Sequence, residues 1–403
     1  MDFNYHYSQA QEDFRAEVTA WLDANLPHDR NGGGAGISPS LPDLRRRLGE
    51  KGWLAPTEPV EFGGLGASQG EEVILAEELG SRGLGRLQDQ GGAALTRALH
   101  GWASESPLIG LVPEINGGRV SLWHDCIAPE VSPESSQELP NPTGIIATED
   151  GDDYVLNGHA WFAGPDPAPD YLWALAQLDV EIPPGEAATD FTISLLVPAG
   201  LDGISRQPTR QLVDGGPRQV GFDQVRVPRT CLLGSKGQGW DLMHSALIAG
   251  PETDAPPKLD AGVIRLQQYA ESTTRLGLPL IQEPVIQQMV MDAYIDGRVA
   301  RLFETRDAWM RANGQKTTYQ PAQTRMWRKR SAQRYSKVVR QVVGVYALLD
   351  DKDPRSPAGG EFELQQRQSL GSDDPAGVSG SDAAIIARHL GMAGVGNSGA
   401  QAR

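Results

Sequence analysis

Side chains able to do chemistry are few and scattered in this sequence of 403 residues, and their spacing excludes more than it proposes. The two cysteines, Cys126 and Cys231, form neither a metal-ligand spacing nor a disulfide framework. His100, His124, His159 and His389 contain no i, i+4 pair, so packing or surface roles suit them better than ligation. The basic run RMWRKRSAQR (325–334) could face a phosphate, but on a helix its charges spread over several faces, which favours a solvated or inter-subunit surface. Glu252 follows Gly250 and Pro251, and no glutamate occurs after Glu363. A carboxylate acts as a general base when burial tunes its pKa. The proline beside Glu252 works against presenting it from a helix. Ser235 and Lys236, in a glycine-rich turn, suit a nucleotide contact or a plain turn equally.

The elements that must position these residues meet at 219–240, QVGFDQVRVPRTCLLGSKGQGW. Val220, Phe222, Val225 and Val227 read as a half-buried strand, and the loss of phase at Asp223-Gln224 predicts a bulge. Pro228 ends the ladder, Leu232-Leu233-Gly234 with Gly237 and Gly239 make a turn, and Trp240 to Met243 open a helix. Upstream, Phe14, Val18, Trp21, Leu22 and Leu26 predict a helix over 8–26 behind Ser8, with further helices at 44–48, 71–79 and 93–102. Glycines at 31–36 and the Pro/Gly stretch 52–66 interrupt them. From 120 the period becomes strand-like, with runs at 120–123, 143–149, 153–164, 170–179, 191–198 and 219–227. Beyond Asp241 long helices are predicted at 261–275, 285–312 and 322–349, with a short fourth at 382–389 and a polar loop over 351–380. The expected fold class is α+β and multidomain: an N-terminal α-helical domain (1–119), a central β-barrel domain (120–235) and a C-terminal four-helix bundle (236–403).

A net charge of −16 argues against intrinsic attraction to nucleic acid or an anionic membrane. No apolar run is long enough for a transmembrane helix. The polar opening MDFNYHYSQAQEDF resembles neither a signal nor a transit peptide, so a reducing cytoplasm is the expected location.

FDQVRVP (222–228), LLG (232–234) and GQGW (237–240), in that order, resemble the strand–turn–helix junction of the FAD-dependent acyl-CoA dehydrogenases. GWLAP (52–56) before PVEFGGLG (59–66) is similar to the family's first domain, and GDDYVLNG (151–158) and PAGLDGI (198–204) to its central barrel. The resemblance covers nearly the whole chain and implies desaturation of an acyl-CoA thioester. That reaction needs a carboxylate base for the α-proton and a flavin for the β-hydride.

The positions that carry this chemistry in the family have drifted here. The base turn before Ile385-Ile386-Ala387 and Leu390-Gly391 holds Gly380, with Ser379 and Ser381 on either side. A second family position, on the first helix of the C-terminal bundle, holds Gly250, leaving Glu252 as the nearest carboxylate. The T-E-P tripeptide over the flavin is matched by Ile127-Ala128-Pro129. The tryptophan–isoleucine–hydroxyl triplet is matched by Trp161-Phe162-Ala163, which keeps the aromatic and lacks the hydroxyl. The arginine that reaches the FAD diphosphate across an interface precedes an F-G pair; Leu276-Gly277 matches that pair, so its place falls to Thr273, with Arg275 two residues on.

Together these departures resemble the base-lacking subunit of actinobacterial steroid-side-chain acyl-CoA dehydrogenases, which pair two unlike subunits as α2β2. The resemblance implies FAD held at an interface with a homologous subunit. A self-sufficient dehydrogenase using Glu252, a flavin-dependent hydroxylase on the same scaffold and a structural homo-oligomer without ligand are the alternatives.

Overall fold

The computed structural model describes residues 7–26, 41–82, 84, 90–126, 143–164, 168–207, 218–247, 259–370 and 379–392. Helix α1 (Gln9–Asn25) starts at a capping box, in which Ser8 Oγ accepts from Gln11 N and Gln11 Oε1 accepts from Ser8 N. Helix α3 (Gln69–Ser81) starts the same way on Ser68 and Glu71. Such caps contribute about 1 kcal/mol each and fix where a helix begins. Val18 and Leu22 of α1 pack on Leu44 and Leu48 of α2 (Leu41–Glu50), on Trp53, and on Leu75 and Leu79 of α3. Helices α4 (Gln90–Trp102) and α5 (Val112–Asn116) complete the helical N-terminal unit; the short α5 is not foreseen in the sequence.

The strands are β1 (Leu122–Asp125), β2 (Ile145–Asp150), β3 (Asp153–Ala163), β4 (Tyr171–Leu178), β5 (Thr192–Pro198), β6 (Ile204–Arg206), β7 (Arg218–Pro228) and β8 (Leu232–Leu233). They form one mixed sheet in the order β6-β7-β3-β1-β4-β5-β8, with β2 also joining β3 and β4. This sheet is the central domain, with β6 and β8 at its edges. One face encloses Trp123, Tyr154, Leu156, Phe162, Leu195 and Val225. The other packs Trp173, Leu175, Leu196 and Leu233 against α4 and α6 (Gly239–Leu247). Strands β4 and β5 are therefore covered on both faces and read as nearly unbroken apolar runs, whereas β3 alternates. The bulge predicted at Asp223-Gln224 is present: the β3–β7 register shifts between Leu156 and Gly158, and Gln224 takes φ +52.

In the C-terminal bundle, α7 (Leu259–Ser272), α8 (Pro284–Ala312) and α9 (Gln320–Val343) share a core of Val263, Leu266, Ile286, Val290, Tyr335 and Val339. Phe362, 1% exposed, joins it from α10 (Glu361–Leu370). The polar loop expected over 351–380 thus contains a helix, anchored by one aromatic and by Gln366 Nε2 donating to Ala347 O. Helix α9 stops at Val343, short of 349, where Gly344 adopts φ +68. A hairpin of β9 (Thr274–Arg275) and β10 (Leu278–Pro279) follows α7, and α11 (Ser379–His389) ends the described chain. Arg15 pairs with Glu77 and Glu78 at 2.8 Å, and Arg301 of α8 meets Glu77 at 2.9 Å, tying the first helical unit to the last. Among the described residues no helix is long and apolar enough to cross a membrane.

Candidate functional site

The site begins where β1 ends. His124 and Asp125 pair antiparallel with Ala163 and Phe162, and Cys126 N donates to Trp161 O at 2.7 Å. Ile127, Ala128 and Pro129 lie outside the described residues. Strand alternation buries Phe162 in the sheet core and turns Trp161 outward, 45% exposed. Ala163 leaves that end of β3 without a hydroxyl.

Sequence reasoning missed Asp125, because a lone aspartate in a strand carries no motif. Its carboxyl is buried, with Oδ2 accepting from Leu175 N at 3.4 Å. Burial pushes its pKa up to about 7. Burial, with the adjacent Asp125 charge, pushes the Cys126 thiol up to about 12, so this cysteine is not an activated nucleophile.

Helix α6 is seated by two contacts. Trp240 N donates to Thr192 Oγ1 at 2.8 Å, and at Gly239 a Cβ would lie 2.5 Å from Ile193 C, so only glycine allows that approach. The Trp240 indole stacks on His244, whose pKa burial lowers. At the far end Arg97 of α4 donates Nη2 to Ala246 O at 3.0 Å, a cation on a helix C-terminus that the sequence did not signal. Gly250 and Glu252 lie beyond, outside the described residues.

Gly380 falls in the first turn of α11, not in a turn ahead of it, because the helix begins at Ser379. The next carboxylate, Asp382, is buried and engaged by Arg325 of α9 through Nε at 2.9 Å and Nη2 at 2.6 Å. That pair occupies its lone pairs and opposes any role as a base. Thr273 and Arg275 lie beyond α7, which ends at Ser272 rather than at the expected 275. Thr273 N caps Tyr269 O, and Arg275 sits in the hairpin paired with Glu283 at 3.3 Å. A flavin ring would find an aromatic wall in Trp161. Its diphosphate would find no cation at Thr273, and Arg275 is shared with Glu283, so the fit is partial.

The other sequence candidates settle into structural roles. Lys236 pairs with Glu149, and Ser235 N donates to Gln238 Oε1, which makes theirs a turn. In the basic run, Arg325 meets Asp382, Arg328 approaches Glu304 and Arg334 reaches Asp296, on different faces of α9. His100 pairs with Glu58 at 3.2 Å and His389 stacks on Tyr319. Among the described residues no group of His, Cys, Asp and Glu could hold a metal.

Comparison with known proteins gives two family-model matches: "Acyl-CoA dehydrogenase, N-terminal domain" over residues 8–105 and "Acyl-CoA dehydrogenase, C-terminal domain" over 258–391. Acyl-CoA dehydrogenase FadE26 of Mycobacterium tuberculosis is 23% identical over 90% of this chain and 92% of its own. A chain of the ChsE4-ChsE5 complex from Mycobacterium tuberculosis superposes with a TM-score of 0.78 at 20% identity, covering 98% of this chain and all of that one. A chain of the Tcur3481-Tcur3483 steroid ACAD gives 0.78 at 20% identity over 97% and 99%.

Proposed function

The chain belongs to the acyl-CoA dehydrogenase family, and from that premise we propose that it is the subunit of a heteromeric acyl-CoA dehydrogenase that keeps the scaffold and lacks a base of its own. The observation that carries the reading is at α11, where Gly380, the residue matched to the family's base, lies in the first turn and the neighbouring carboxylate, Asp382, is held by Arg325. Ala163, Thr273 and the Glu283-paired Arg275 support it from the flavin side. FAD, when bound, supplies the hydride acceptor. This chain would offer Trp161 as one wall, and a homologous subunit in an α2β2 assembly would supply the base and the diphosphate contacts. The likeness to the ChsE4-ChsE5 complex and the steroid ACAD favours a bulky, steroid-type acyl-CoA as the substrate.

The test is acceptor reduction by the FAD-loaded chain with an acyl-CoA, alone and with its partner. The expected result is turnover only in the complex, and within about twofold the same turnover after Glu252→Gln. Turnover by the lone chain that Glu252→Gln abolishes would transfer the function to the self-sufficient reading. Oxygen consumption driven by reduced flavin would point to a hydroxylase.

A further inference from the structure

Tyr335 of α9 is 5% exposed, and its hydroxyl makes no hydrogen bond among the described residues. Two more buried atoms share that condition, Gln365 Oε1 of α10 and Arg265 Nε of α7. All three belong to side chains that gather over one glycine. A Cβ at Gly262 would lie 3.0 Å from Tyr335 Oη and 3.4 Å from Gln365 Nε2, and Arg265 stands a turn further along the same helix. Three helices thus meet at a seam where polar groups face a stretch of backbone that carries no side chain.

Glu361 of α10 orients two of these side chains. Its Oε1 accepts from Arg265 Nη2 and, at 3.1 Å, from Gln365 Nε2, so the charges in the seam cancel and both side chains are fixed. Burial raises the Tyr335 pKa, which keeps the hydroxyl protonated. What remains is one N–H donor on Arg265, one carbonyl acceptor on Gln365 and one hydroxyl that both gives and takes. Leaving three such atoms unsatisfied in one place is costly, and folded proteins satisfy buried polar groups with protein or with ordered water. An anion would only accept, and would face the Gln365 oxygen. A cation would face Arg265. Water gives two hydrogen bonds and takes two, which matches the set of atoms.

We propose that the seam between α7, α9 and α10 is a binding site for ordered water, which accepts from Arg265 Nε, donates to Gln365 Oε1 and bonds the Tyr335 hydroxyl. Helix α10, whose apolar anchor is Phe362, is thereby docked on the bundle partly through solvent. The site rests on the packing of the bundle and is independent of the missing-base reading. The test joins a crystal structure of the full chain, at a resolution that shows ordered water, to the denaturant midpoints of Tyr335→Phe, Gln365→Leu and the double variant. The expected structure has water density between the three atoms. With water bound, removing either partner leaves the others short of a bond, so each single variant lowers the midpoint. Because the two residues share the water, the double variant loses less than the sum of the single losses. In a dry seam Tyr335→Phe deletes an unsatisfied hydroxyl and raises the midpoint. A raised midpoint for Tyr335→Phe, additive losses, or density for an ion or a protein group in place of water would each overturn the proposal. Should a variant fail to fold, the density in the parent decides alone.

Discussion

Asp125 is a fully buried carboxyl that, with no cation beside it, has only the backbone N–H of Leu175 to favour its ionised form. Its folded pKa of about 7 lies above the ordinary carboxylate value. The stability it contributes is therefore complete below the unfolded pKa and is lost as the pH rises through about 7, because the ionised form is buried. Asp125→Asn keeps an oxygen acceptor for Leu175 N and cannot ionise. Denaturant midpoints measured from about pH 5 to pH 9 should fall for the parent and stay flatter for the variant; parallel curves would show that Asp125 does not titrate there. The sequence could not reveal this, since burial comes from β3 and β4 pairing on either side of β1.

At the scale of elements, α11 is tied to α9 by the Arg325–Asp382 ion pair. Arg325→Met leaves Asp382 buried without its cation and should cost about 3–5 kcal/mol in denaturant unfolding. Asp382→Asn on that background should recover a large part of the loss, since it removes the stranded charge. Equal stability of parent and Arg325→Met would mean that α11 docks without the pair. Ser68→Ala should cost about 1 kcal/mol by removing the cap of α3, read as a lowered denaturant midpoint. The long helices and the β7–α6 junction were legible from apolar period and turn chemistry. Helix α10 was not, because among the described residues Phe362 is the one apolar side chain it buries in a stretch of Gln, Glu and Arg. The hairpin after α7 was missed for a related reason: its turn uses Leu276 at φ +53, where sequence rules expect glycine or asparagine.

At the scale of the molecule, charge joins what sequence separates. Glu77, buried at 6% exposure, takes Arg15 from α1 and Arg301 from α8, so the two helical units flanking the sheet are clamped across more than two hundred residues of chain. The three-part architecture was readable as changes of period, whereas this clamp is a long-range pairing with no local signature. The same division applies to function. The scaffold motifs persist, and on the reading proposed here the positions matched to the family's reaction hold Gly380, Ala163 and Thr273. The measurement that bears most directly on this is the visible absorption spectrum and mass of the chain purified alone, then with an unlike acyl-CoA dehydrogenase subunit. The account predicts a colourless lone chain and a yellow complex with one flavin for each pair of unlike chains. A lone chain that holds flavin and bleaches with an acyl-CoA would contradict it.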